Sequence, residues 1–307
     1  MSPIQEAPVA RSQSRSCPLC SGKAEVLFAA TDENHHVSQI PYTYLKCRGC
    51  NGIFLENPPV DLGRYYRSDY YAIPSFEQLQ KVADKDHNKI DTVRRFVTEG
   101  RLLEVGPAFG VFAWQAKQVG FVVDVIEMDA RCCAYLQGTL GVNVTQSGDP
   151  QEAIKALPPH DVIAIWHVLE HLADPYAFLS SAAANLKPGG ILVIAMPNPD
   201  AWQFKVMGRH WPHLDAPRHL FLIPEVTMTR LAAQVGLKKL FLTSDDSDAK
   251  SWNRFGWQRL LMNRFSSKFM QRVMFVLGYG ISLFFAALDR QGFNGSAYTI
   301  IFRKNEP

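Results

Sequence analysis

LLEVGPAFGVF, residues 102–112, is an apolar strand that runs into a turn of small residues. Gly106 and Gly110 stand four apart, with Ala108 between them. Small residues after a strand let backbone approach a ligand closely, so what this turn cradles decides the reading of the chain. A P-loop needs GxxxxGK[ST], and the sequence has none. The dinucleotide fingerprint GxGxxG is not met either, because the small residues occupy 106, 108 and 110 and position 111 is Val.

Working outward, strand-like and helix-like runs alternate from Arg101. "RLLEV", "FVVDVI", "DVIAIW" and "ILVIAM" are short and rich in β-branched residues. "FAWQAKQV" and "PYAFLSSAAANL" between them read as helices, the second opened by Asp174 and Pro175 and closed before Lys187-Pro-Gly-Gly190. Such alternation predicts an α/β fold with a doubly wound, mostly parallel sheet, whose ligands bind beyond the carboxyl ends of the strands. Glu127, at the end of the second strand, is in register to accept two ribose hydroxyls with its two oxygens. His167, Glu170 and His171 follow the fourth strand and are expected near the same ligand.

The N-terminal part is of another kind. Residues 1–15, rich in Ser, Pro and Gln, read as a disordered leader with no apolar run of the secretory type. Cys17-Pro-Leu-Cys20 and Cys47-Arg-Gly-Cys50 follow, with room for a β-hairpin between them. Two CxxC turns can complete a closed four-thiolate site. Cys17, Cys20, Cys47 and Cys50 are therefore expected to hold a structural Zn²⁺, folding a ribbon over 16–60 that has little core of its own. A formal net charge of +3 in 307 residues is too small to mark the whole chain as a nucleic-acid binder.

The run E-x-G-x-A-x-G from Glu104 to Gly110 resembles the first motif of class I S-adenosylmethionine-dependent methyltransferases. "WHVLEHLADP" and "LKPGGILVIAMPN" resemble the HxLEHxxDP and PGG runs of one large subgroup, and "YLKCRGCNGIFLENP" resembles the zinc-ribbon front end of some bacterial sugar and polysaccharide-pathway members. The resemblance spans roughly residues 17–245. It implies a seven-stranded Rossmann-like core over 99–245, completed by a last strand in 297–307, with S-adenosylmethionine as cofactor. Glu104, Gly106, Ala108, Gly110, Glu127 and His167 would line its site, and Asp149 would accept from the adenine amino group. Ala108 stands where the family has its middle glycine, which costs little if its φ is negative.

For the acceptor, His171 is expected as general base or as its orienting partner, with His167 and His219 as further catalytic candidates. His167, Glu170 and His171 could instead hold a divalent ion with a distant His, or simply tie the loop to neighbouring backbone. "RHWPHLDAPRHLFLIP" lines the acceptor pocket in the resembled family. Trp211, Arg218 and His219 are thus acceptor-side candidates, Arg218 through its planar fork for a phosphate or carboxylate. Tyr70, in the connector 61–98, reads as a lid edge.

Between the last two strands lies an insertion over 246–296. Lys250 to Arg272 carries six basic and no acidic residues among aromatics, and 273–288 is sixteen residues without a charge. A helical hairpin that packs on the core or lies on a membrane surface is expected, with peripheral membrane contact through 250–288. The whole predicts a cytoplasmic enzyme, peripheral at the inner membrane face if the hairpin binds there. Its acceptor would be a small molecule, a sugar nucleotide or a lipid-linked glycan precursor; nucleic acid is not the expected partner. The alternatives are an RNA methyltransferase and a silent S-adenosylmethionine-binding scaffold.

Overall fold

A computed structural model describes residues 15–66 and 72–306. The leader residues 1–14 and Tyr70 lie outside the described residues. Three strands open the chain: β1 (Ala24–Ala30), β2 (Tyr42–Cys47) and β3 (Ile53–Leu55). The core strands are β4 (Arg101–Val105), β5 (Val122–Glu127), β6 (Asn143–Gln146), β7 (His160–Trp166) and β8 (Leu186–Pro197). The short β9 (Phe221–Leu222), β10 (Leu237–Thr243) and β11 (Ala297–Lys304) complete the set.

The large sheet has the order β10-β11-β8-β7-β4-β5-β6. β4 to β8 run parallel, and β11 is antiparallel to both β8 and β10. The doubly wound sheet expected from the sequence is present. Its central strands are covered on both faces, as the unbroken apolar runs of β4 and β7 require. The chain order reverses at β4, between β5 and β7, so the open crevice falls where residues 106–110 and 167–171 meet.

The ribbon is less independent than its sequence suggests. β9, from the segment after β8, adds to the β1-β2-β3 sheet by pairing with β3, Ile53 opposite Leu222 and Phe54 opposite Phe221. The Tyr44 hydroxyl donates to the His219 carbonyl at 3.0 Å, and the Thr227 hydroxyl to the Cys50 carbonyl at 2.6 Å. Tyr44, Leu45 and Ile53 share one apolar core with Leu214, Leu220 and Met228. The segment with little core of its own shares one with residues 211–228.

The insertion is a helical hairpin. Its first helix, α1 (Ser247–Met262), is capped by Asp246, which accepts from the Ala249 amide at 2.7 Å. Its second, α2 (Lys268–Phe284), packs along α1. Gly278 permits that approach, since a Cβ there would lie 2.6 Å from the Gln258 Cα. Trp257 stacks on Phe285, and Trp202 from the core closes the cluster at 5.7 and 5.0 Å. No helix among the described residues is long and apolar enough to cross a membrane.

Candidate active site

Beneath the turn after β4 lies a pocket of about 400 Å³, lined by Gly106, Ala108, Glu127, Trp166, His167 and His171 among others. Gly106 and Gly110 have φ of +69° and +82°. Ala108 has φ +52°, not the negative value that would make alanine easy there, so the alanine takes the left-handed conformation of the glycine it replaces. The reason is visible in the turn: the Ala108 amide must point at Glu127, to whose Oε2 it donates at 3.0 Å. Glu127 Oε1 accepts from the Met128 and Asp129 amides at 2.7 and 2.9 Å. Burial pushes the Glu127 carboxyl upward, and these three amides oppose that.

The other residues expected around this pocket hold different places. Glu104 is buried under the turn; burial pushes its carboxyl up to about 8, although Lys89 acts against this. Gly110 is packed against Leu136 and Leu140. Asp149 caps a short helix, accepting from the Glu152 amide at 3.1 Å, while its neighbours Ser147, Gly148 and Pro150 line the pocket.

A second pocket of about 370 Å³ adjoins the first and shares His167 and His171 with it. Its other walls include Asn34 and His35 from the ribbon, His213 and His219 from the segment after β8, and Trp252 and Phe255 from α1. Three separate parts of the chain thus meet over the end of β7.

The histidines differ sharply in electrostatic state. Burial alone would lower the His167 pKa, but Asp248 and Glu170 outweigh it and hold the ring up to about 9. Its Nε2 lies 2.6 Å from Asp248 Oδ2, and the ring stacks on Trp252 at 3.9 Å. His171, His213 and His219 are pushed down to about 4, 3 and 4, chiefly by burial. His171 Nδ1 lies 2.9 Å from the Arg218 carbonyl, and the Tyr66 hydroxyl is equally near. His219 Nδ1 donates to the His213 carbonyl at 2.8 Å. A carbonyl only accepts, so each Nδ1 carries the proton and each Nε2 keeps a lone pair. The two rings meet edge to face at 4.6 Å, and beside them is Glu170, fully buried, with both oxygens lacking a hydrogen-bond partner. One donor atom each from Glu170, His171 and His219 falls within a 4.8 Å group that could hold a divalent ion. His167 is not part of that group.

Arg218 departs from its expected role. Its guanidinium is wholly buried and bound to Asp215 at 2.8 and 2.9 Å and to Asp32 at 2.8 Å. Burial works against the charge of Asp215, yet the guanidinium holds that carboxyl well below the usual carboxylate range. With its fork spent on two carboxylates, Arg218 ties the ribbon to the pocket wall and offers nothing to an anionic acceptor. Trp211 is likewise buried, edge-on to His213 at 5.1 Å, and braces the wall from behind.

Sequence reasoning missed Asp248, Trp252 and Asn34. Asp248 and Trp252 are four apart and share a face of α1, but nothing in the sequence directs that face at His167. Asp248→Asn is expected to bring the His167 pKa down by about one unit or more, since an opposite charge at hydrogen-bond distance favours the ionised ring. Imidazole ¹⁵N shifts followed against pH would show this; an unmoved titration would mean that Glu170 alone holds the proton.

Comparison with known proteins agrees with this architecture. Residues 76–241 match a family model described as a methyltransferase domain. That is more than half of the chain, and the chain belongs to this family. Ubiquinone biosynthesis O-methyltransferase of Caulobacter vibrioides is 32% identical over 102 residues, covering 32% of this chain and 40% of that protein. The protein of the same name from Paramagnetospirillum magneticum is 33% identical over 121 residues, covering 36% and 46%. The chain thus spans less than half the length of these two curated relatives. The solved structure of Haemonchus contortus phosphoethanolamine N-methyltransferase 2 with S-adenosyl-L-methionine shares the fold, with a TM-score of 0.51 at 16% identity, over 83% of this chain and 62% of that one. The seven-stranded sheet is that of the class I methyltransferases.

Proposed function

We propose that the chain transfers a methyl group from S-adenosylmethionine to a hydroxyl of a small acceptor. The observation that carries this is the pair of pockets meeting at His167 and His171, one of them floored by Glu127 beneath a left-handed turn. Glu127 would accept the ribose hydroxyls, and the turn 106–110 would pass under the methionine end. The acceptor oxygen attacks the methyl carbon, the carbon–sulfur bond breaks, and S-adenosylhomocysteine leaves. The acceptor proton goes to His171 Nε2, whose neighbour Glu170 would stabilise the imidazolium. The sulfonium is already activated, so positioning supplies most of the acceleration.

The acceptor pocket supports a neutral, hydroxyl-bearing group. In its lining His171 and His219 each keep a lone pair, the charge of His167 is met by Asp248, and Arg218 behind it is neutralised by Asp215 and Asp32. A sugar ring of a sugar nucleotide or glycolipid precursor suits this, as does the ribbon front end. The match to the two O-methyltransferases leaves more than half of each uncovered, so their acceptor does not define the one here. The test is transfer of tritiated methyl to separated sugar-nucleotide, lipid and RNA fractions of a cell extract. Label confined to RNA, or no label at all in the presence of bound cofactor, would overturn the reading.

A second reading of the same centre has its own observation. The unpartnered oxygens of buried Glu170 favour a divalent ion held with His171 and His219, which would polarise the acceptor hydroxyl when bound. Transfer that survives exhaustive chelation rejects it.

The four cysteines support a structural zinc. Cys17 and Cys50 Sγ are 3.5 Å apart and Cys20 and Cys47 Sγ 3.4 Å, with all four in one group within 4.8 Å. Four convergent thiols with no open position suit a closed tetrahedral site. Metal analysis of freshly purified protein is expected to find one zinc per chain, and Cys47→Ser to lose it. Less than about a tenth of an equivalent in the unaltered protein would refute the site. The charge and apolar pattern of 250–288 further supports peripheral contact with a membrane, from which a lipid-linked acceptor would be drawn.

A further inference from the structure

Helix α2 presents an apolar stripe that none of the described residues covers. Phe269, Val273, Val276, Leu283 and Phe284 are all exposed, Phe284 by 80%. They follow one another at helical spacing, on the face opposite Gly278 and Ser282, which are buried against α1. At the C-terminal end of this stripe is a cavity of about 120 Å³ between α1, α2 and the turn that follows. Leu283 belongs to both. Lys250, Arg254 and Arg290 stand around the cavity, and Asn253, Ser282 and Asp289 are its buried members.

We propose that this cavity binds the phosphate of an anionic phospholipid headgroup, with the stripe of α2 resting in the acyl boundary beside it. The inference rests on the membrane contact put forward above and names its site. Three cations converge there. Arg254 lies over the Tyr279 ring at 5.4 Å, which leaves its charge available to an anion. The carboxylates nearby are Asp245, 3.4 Å from Lys250 and 3.8 Å from Arg290, and Asp289. Asp289 is bonded to the Trp202 indole; burial pushes its carboxyl up to about 6, which still leaves it mostly ionised near neutrality, so three cations face two carboxylates. The local balance is therefore cationic, next to an apolar helix face too short to span. That combination fits an interfacial helix. Arg259, basic in sequence, is not part of it: burial lowers its pKa, and it faces Asp215 and Asp32. Because α1 also carries Asp248 and Trp252, a bilayer held here would lie against the helix that roofs the acceptor pocket.

Sedimentation of the full chain with vesicles tests this. The chain is expected to pellet with phosphatidylcholine–phosphatidylglycerol vesicles at low salt and not with phosphatidylcholine alone. Arg254→Gln with Arg290→Gln should weaken pelleting about twenty-fivefold, since each basic residue near an anionic surface contributes about fivefold. Phe269→Ser with Phe284→Ser should remove the part that resists high salt. Calorimetry with S-adenosylhomocysteine should be unchanged in both pairs, which separates this site from the methyl-transfer reading and shows that the variants fold. Equal pelleting on the two vesicle types, or an unaffected arginine pair, overturns the proposal. So does saturation by millimolar inorganic phosphate without vesicle binding, which would assign the cavity to a soluble phosphate. A dimer in sedimentation velocity that Phe284→Ser dissolves would assign the stripe to a second copy, again overturning it.

Discussion

Replacing Gly106 with valine is expected to weaken binding of S-adenosylhomocysteine by a hundredfold or more. Two independent costs combine. The residue has φ +69°, where a β-branched side chain is strained by about 1–3 kcal/mol. An added Cβ would also lie 2.5 Å from Val168 Cγ2, inside the loop that carries His167. Overpacking of that kind typically costs about 1–3 kcal/mol more. Relief requires the turn to move, and the Ala108 amide then leaves Glu127. Glu127→Ala should show a milder form of the same loss, about tenfold, because a charge-assisted hydrogen bond is worth about 1.5–3 kcal/mol. Gly120→Ala is the control: at φ +99° it carries the backbone strain of about 1–3 kcal/mol, but nothing lies within 4 Å of the new methyl, so stability should fall while cofactor binding holds. Calorimetry that finds the Gly106 variant within threefold of the parent would remove the turn from the binding site.

What the sequence could convey follows from the range of the forces involved. The strands β4, β5, β7 and β8 were legible because burial on both faces demands continuous apolar runs. Glu127 was legible because a strand end fixes where a side chain falls. Ala108 was misjudged for the opposite reason: its φ is set by the need to aim an amide at Glu127, nineteen residues away, and no local preference encodes that. Arg218 was misread through distance alone. Its partner Asp32 is 186 residues away in the chain and lies in the ribbon. A planar fork in a polar loop looks the same in sequence whether it meets a ligand or a buried carboxylate. The same holds for α1: a helical hairpin was expected there, but not that Asp248 would reach His167 across 81 residues.

His171→Ala is expected to lower the rate of methyl transfer about 10²–10³-fold while leaving S-adenosylhomocysteine affinity within a few-fold. His171 borders both pockets, which is where the proposed base would stand between donor and acceptor. Its Nδ1 is committed to the Arg218 carbonyl, which fixes the tautomer and leaves Nε2 unprotonated. Burial and the neighbouring His219 keep the ring neutral, down to about 4, so the base form is fully present at neutral pH. His167, held near 9 by Asp248, stays an imidazolium there and cannot serve as the base. Loss of His171 removes the proton's destination but leaves Glu127 and the glycine turn intact. The acceptor for this measurement is the fraction labelled in the tritium screen. Chelation separates the two readings of the centre: if His171 acts as a base, the parent rate survives chelator and the variant's does not recover with added Mn²⁺. If the ring instead ligates an ion with Glu170 and His219, the parent loses its rate on chelation and Glu170→Gln reproduces the loss. A His171→Ala enzyme that transfers methyl at more than a tenth of the parent rate would exclude both, and would leave positioning in the two joined pockets as the whole of the catalysis.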